Sequence, residues 1–167
     1  EVYTELLAEE VAKLKGESPK QARPQVGIDL EVDARLPASY LANDDDRIAT
    51  YGMFAEASGL ADVARIAKDL RSRLGPFPPE VKAFVDLVKL RLLAESKGVA
   101  SIKEHRSDVQ ISFNAQFDEL DYDPQKLRQF DVPVEATRYP PGFSVTKRGI
   151  KSADLPSLLQ RILYTVG

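Results

Sequence analysis

One stretch limits what this chain can become. From Glu80 to Lys97 it carries Val81, Phe84, Val85, Leu87, Val88, Leu90, Leu92 and Leu93, which leaves a helix apolar on most of its sides. Such a helix is stable only where other elements cover it all round, so the spacing predicts a central buried helix, stopped by Gly98. The cover has to come from the flanking sequence. Two helices are predicted just before it, from about Asp46 to Glu56 and from Leu60 to Leu74; the second keeps Leu60, Val63, Ala67, Leu70 and Leu74 on one face and ends at Gly75 and Pro76. At the far end Leu155, Leu158, Leu159, Ile162, Leu163 and Val166 repeat at helical spacing, with Asp154 as N-cap and Pro156 in the first turn.

Between and around these helices the period changes to two. Val26, Ile28, Leu30, Val32, Ala34 and Leu36 alternate with polar residues and predict a half-buried strand closed by Pro37. Further strands are predicted at Val99–Lys103, over Val109, Ile111, Phe113, Ala115 and Phe117, and at Val132–Tyr139 and Phe143–Lys147, the last two joined by Pro140, Pro141 and Gly142. A short helix from Asp123 to Phe130 has Pro124 at its first position. Helices and strands are segregated, so the fold class is α+β: a helical lobe packed with a small, mainly antiparallel sheet. Ahead of all this, Val2, Leu6, Leu7, Val11 and Leu14 mark an amphipathic helix ending at Gly16, and Glu17–Pro24 reads as a connector. The expected division is therefore a leading helix and connector over 1–24 and one domain over 25–167. The absence of an initial Met, with a helical pattern from the start, leads us to expect a piece of a longer polypeptide.

Composition narrows the chemistry. The net charge is −3, from 23 Lys and Arg against 26 Asp and Glu, which opposes a protein that binds by neutralising phosphates. With no cysteine there is no disulfide, thiolate nucleophile or Cys-based zinc site. The Gly-x-x-x-x-Gly-Lys-Ser/Thr phosphate loop does not occur. No secretory signal or bilayer-length apolar run is evident, so a cytoplasmic location is expected. His105 is the single histidine, and any triad would have to join it to Asp108 or Glu104; exposure in a loop is the simpler expectation. Asp44, Asp45 and Asp46 sit where the positive end of a helix favours anions, and capping accounts for them better than a metal site. Asp118, Glu119, Asp121 and Asp123 read as solvated charge around a turn. Lys147, Arg148 and Lys151 could touch a phosphate backbone, with Lys103 and Arg106 as further cations, but against a negative total charge a solvated rim is the first reading. No catalytic residue, metal ligand or cofactor is assigned.

A charged stripe on the second helix stands out. Asp62, Arg65, Asp69 and Ser72 follow steps of three, four and three, on the side away from Val63, Ala67, Leu70 and Leu74. Asp69 has Arg65 four residues before it and Arg73 four after, which suits ordinary surface pairs as well as an interface.

Several segments together resemble the C-terminal domain of bacterial transcription-repair coupling factors. Glu1-Val2-Tyr3, Leu6-Leu7 and Leu14-Lys15-Gly16 are similar to the helix leading out of that family's translocase module. Ile28-Asp29 to Leu36-Pro37, then Tyr40-Leu41, Arg47 and Tyr51, are similar to the family's strand and the segment after it. Asp69-Leu70, Arg73-Leu74-Gly75 and Pro78 match the signature Glu-Leu, Asp-Arg-Phe-Gly and Leu-Pro, and Lys89-Leu90-Arg91, Gly98-Val99 and Ile102 match the family's next segment. The likeness runs from Glu1 to about Ile102. It implies a non-enzymatic regulatory domain that docks on the N-terminal UvrB-like module of the same polypeptide and covers the surface that recruits UvrA. It further implies that the parent is an ATP-dependent translocase, which meets RNA polymerase and DNA through other domains. The family's acidic signature residues face arginines of the covered module; Asp69 matches the first acid, while Ser72 replaces the second and Leu74 the Phe. The resemblance thus points to Asp69, Ser72, Arg65, Asp62 and Arg73 as interdomain residues. The alternative function is an accessory DNA-contacting domain of a helicase, using Lys147, Arg148 and Lys151.

Overall fold

The computed structural model describes residues 26–166. Among them are five helices and a five-stranded sheet that share one core. Strand β1 spans Gly27–Asp29, helix α1 Asp44–Glu56, α2 Leu60–Leu74, α3 Pro79–Lys97, β2 Val99–Glu104, β3 Asp108–Phe113, the short α4 Pro124–Leu127, β4 Val134–Thr137, β5 Gly142–Thr146 and α5 Leu155–Leu163. The sheet order is β1-β2-β3-β5-β4. Strand β1 runs parallel to β2, with Ile28 opposite Ile102, and every other neighbouring pair is antiparallel. The α+β architecture with a mainly antiparallel sheet is as the sequence predicts.

Helix α3 is the centre. Ten of its side chains are buried, it packs against α2, α5 and β2, and Pro79 opens it where a missing N–H costs nothing. Its end is fixed by Gly98, whose left-handed φ of 77° a side chain would strain. Helix α1 is held through its rings: Tyr51 and Phe54 both meet Phe84 of α3 edge to face, at 5.2 and 5.4 Å between centroids. Leu158, Leu159, Ile162 and Leu163 of α5 close the other side, and the Gln160 amide donates to the Asp86 carbonyl at 2.9 Å.

Several boundaries differ from the expectation. The alternation over Val26–Leu36 is real in burial, since Val26, Ile28, Val32, Ala34 and Leu36 are all buried, but only three residues form strand. Beyond Asp29 the backbone takes other partners: Glu31 N–H donates to the Glu104 carboxylate at 2.9 Å and Arg35 N–H to the Glu80 carbonyl at 3.2 Å. Strand β3 ends at Phe113, and Phe117 begins a single 3-10 turn. Gly142 belongs to β5 and not to the connecting loop; a Cβ there would lie 1.8 Å from the Ile111 carbonyl oxygen, so β3 and β5 pair this closely only with glycine. Asp154 makes no side-chain cap bond to α5, because a 3-10 turn over Ser152–Asp154 runs straight into that helix. The helix predicted over 2–15 and the connector lie outside the described residues.

Candidate interdomain surface on the second helix

Helix α2 is amphipathic in the ordinary way: Val63, Ile66, Ala67 and Leu70 are buried, and the helix packs through them against α3. At 100° per residue, Asp62, Arg65, Asp69, Ser72 and Arg73 fall within an arc of roughly 100° on the other side, spread along about 16 Å of axis. Leu74, expected on the buried face, is 37% exposed at the helix end. Its neighbourhood is nevertheless fixed, because the Tyr40 hydroxyl donates to the Gly75 carbonyl at 2.8 Å and the Tyr40 ring meets Phe77 edge to face. Burial raises the Tyr40 phenol above its ordinary pKa, outweighing the lowering effect of the nearby Arg71 and Arg73 charges.

The stripe divides into two pairs. In the first turn, the Asp62 carboxylate accepts from the Ser58 N–H at 3.1 Å, the Ser58 hydroxyl at 2.9 Å and Arg65 Nη2 at 3.2 Å. The Ser58 hydrogen bonds, then Arg65, hold Asp62 below the usual carboxylate range. Asp62 thereby ties the start of its own helix to the residues just before it, and its Oδ2 is committed to Ser58. Toward the other end, Arg73 Nε donates to Asp69 Oδ2 at 3.0 Å, and both side chains stay about half exposed, at 51% and 55%. Arg65 pairs with Asp62, and the ion pair of Asp69 is with Arg73 alone among the described residues. Ser72 is exposed beside them. An exposed i,i+4 pair of this kind adds about 0.3–0.5 kcal/mol to the helix, so the fold depends little on it.

The other candidate groups do not converge. His105 lies exposed in the β2–β3 turn, where its N–H donates to the Asp108 carbonyl. Neither proposed partner serves it: the Asp108 carboxylate accepts from Ser144 at 2.8 Å, and Glu104 takes Lys147 Nζ at 3.0 Å as well as the Glu31 N–H. That Glu104–Lys147 pair is not legible in sequence, since 43 residues separate its members. It also removes Lys147 from the exposed basic stretch, leaving Arg148 and Lys151 on the surface. Asp44, Asp45 and Asp46 form the first turn of α1, two residues earlier than expected; Asn43 is the cap, accepting from the Asp46 N–H at 3.0 Å, and Arg47 pairs with Asp44. Asp123 caps α4 through the Gln125 N–H, and Asp118 pairs with Arg138. Among the described residues no group of three or more His, Asp or Glu could hold a metal ion, and no helix is long and apolar enough to cross a membrane.

Fold and surface together define an α+β domain whose distinguishing exposed feature is a charged helix face. The sequence model of the TRCF domain family matches residues 30–125. The transcription-repair-coupling factor of Staphylococcus aureus strain USA300 is 29% identical over 118 residues, 69% of this chain and 10% of that protein. That of Bacillus subtilis strain 168 is 24% identical over 162 residues, 92% of this chain and 13% of that protein. A crystal structure of the C-terminal domain of a transcription-repair coupling factor superposes with a TM-score of 0.70 at 15% identity, covering 87% of this chain and 92% of that one. The chain belongs to the TRCF domain family, the C-terminal domain of transcription-repair coupling factors. It spans about a tenth of the length of the curated relatives it matches.

Proposed function

We propose that this domain is a non-catalytic, autoinhibitory cover within a transcription-coupled DNA repair translocase of the cytoplasm. It docks on the N-terminal UvrB-like module of its own polypeptide and masks the UvrA-binding surface there. ATP hydrolysis, polymerase binding and DNA tracking belong to other parts of the parent. The observation that carries this reading is the outward Asp69–Arg73 pair on α2, in a helix that packs through its opposite face. The resemblance in sequence supports it, because it sets Asp69 at the first acid of a signature that faces the covered module, and the TRCF domain match spans that residue. Physics favours a switch on such a face. Charged, half-hydrated contacts contribute little each and respond to salt, so a partner with modest differential affinity can displace them.

The test is a titration of this chain against the UvrB-like module of its parent, with UvrA as competitor. We expect saturable binding that weakens with salt and excludes UvrA, and stronger UvrA association by a parent lacking this domain, with ATPase retained. A parent that loses ATPase on deletion and gains no UvrA binding contradicts the reading. The alternative, an accessory DNA-contacting domain, is weakened by the engagement of Lys147 with Glu104.

A further inference from the structure

A second surface lies wholly outside α2. The turn after α4 and the end of α5 border an open cleft of about 350 Å³ lined by Lys126, Gln129, Phe130, Arg161, Tyr164 and Thr165. Its composition runs against that of the chain. Two cations line it and no acid does, in a protein of net charge −3. Neither Lys126 nor Arg161 forms an ion pair among the described residues, and both are exposed. Of the acids close in sequence, Asp123 is occupied in capping α4, and Asp131 comes after Phe130 on the surface. The Arg161 guanidinium lies over the Phe130 ring, 5.6 Å from its centroid, which orients its fork without neutralising it. Tyr164 is 58% exposed on the same rim, a large ring that the core leaves unused.

We infer that this cleft receives an acidic peptide segment that carries an aromatic or aliphatic side chain beside its carboxylates. The guanidinium and ammonium supply charge-assisted hydrogen bonds to carboxylate oxygens, while Phe130 and Tyr164 offer flat apolar area to the neighbouring side chain. Tyr and Arg are among the residues that most often anchor a protein interface. The size is at the low end of binding clefts, and its open shape suits a segment passing across it more than a small molecule enclosed within it. Nucleic acid is disfavoured, because two cations neutralise few phosphates and so release few counterions. The inference does not rest on the docking role of α2, since none of these residues belongs to that helix.

The probes are three fluorescein-labelled ligands: an Asp-Glu-Phe-Asp-Glu peptide, its Lys-Lys-Phe-Lys-Lys counterpart and a short oligothymidine, each titrated against the whole chain with amide NMR shifts recorded in parallel. The acidic peptide is expected to bind, with shifts centred on Lys126, Phe130, Arg161 and Tyr164. Arg161→Glu should weaken it about tenfold or more, and Arg161→Lys by an intermediate factor, because the charge survives while the planar fork and ring stacking are lost. Circular dichroism of each variant checks that the fold is kept, as the exposure of Arg161 predicts. Tighter binding of oligothymidine or of the basic peptide overturns the assignment. So does the absence of acidic-peptide binding at millimolar concentration, or binding whose shifts lie away from the cleft.

Discussion

Two ion pairs of equal length mark the two ends of this molecule's electrostatics. Asp69 and Arg73 meet at 3.0 Å on α2, about half exposed. Glu104 and Lys147 also meet at 3.0 Å, but their side chains are only 3% and 18% exposed. The first pair joins neighbours on one helix turn and could be lost with little effect on folding. The second binds β2 to the chain leaving β5, and through the Glu31 N–H it also holds the segment just after β1. Distance is the same, and surroundings decide the role. A desolvated carboxylate with two donors is a structural clamp that cannot lose a partner cheaply, whereas a hydrated pair is free to exchange its partner for one on another surface.

The largest perturbation should come from the sheet beside the clamp. Gly142→Ala places a methyl group on the Ile111 carbonyl, and since backbone cannot yield there as a side chain does, we expect a loss on the order of 3 kcal/mol or more in urea unfolding. Glu104→Ala should come next at about 3 kcal/mol, because it leaves the Lys147 ammonium and the Glu31 N–H without their acceptor. Replacing both ends of the pair, as Glu104→Leu with Lys147→Met, should recover part of that loss. If Glu104→Ala unfolds at the same urea concentration as the parent, the two pairs do not differ as described.

Asp62 is intermediate between the two. Its folded pKa lies below the ordinary 3.8, so its stabilising effect is complete above that pH and disappears as pH falls through the lower folded value. Asp62→Ala should therefore lower the Tm modestly at neutral pH and flatten the Tm-against-pH curve at its acid end. A variant with the same acid slope as the parent would show that Ser58 and Asp62 do not fix the start of α2 in solution.

These differences explain what could be read from the sequence. Helix α3 is legible because burial on all sides leaves a pattern that no exposed element has. The stripe on α2 is legible for a related reason, since helical spacing fixes which residues share a face. Alternation over Val26–Leu36 reports burial correctly, but not the partner: past Asp29 the chain is met by a carboxylate and by the Glu80 carbonyl instead of a strand. Pairings are harder still. Arg65 could turn toward Asp62 or Asp69 at helical spacing, and it pairs with Asp62 Oδ1, while Asp62 Oδ2 accepts from Ser58. The Glu104–Lys147 clamp and the Arg161–Phe130 stack join residues far apart in the chain, for which no local pattern exists.

The smallest effect on stability, and the most informative on function, is expected at Asp69. Asp69→Arg should change unfolding by no more than about 0.5 kcal/mol, since an exposed pair is all the fold loses. The decisive measurement is the affinity of that variant for the UvrB-like module of the parent, read by calorimetry at low salt. The proposed docking role predicts a drop of about five- to a hundredfold, a smaller drop for Asp69→Ala, and tighter binding for Ser72→Asp, which adds the second acid that the resemblance implies for this face. Binding by Asp69→Arg equal to that of the parent sequence would contradict it, and would leave the pair with Arg73 as the whole purpose of this carboxylate.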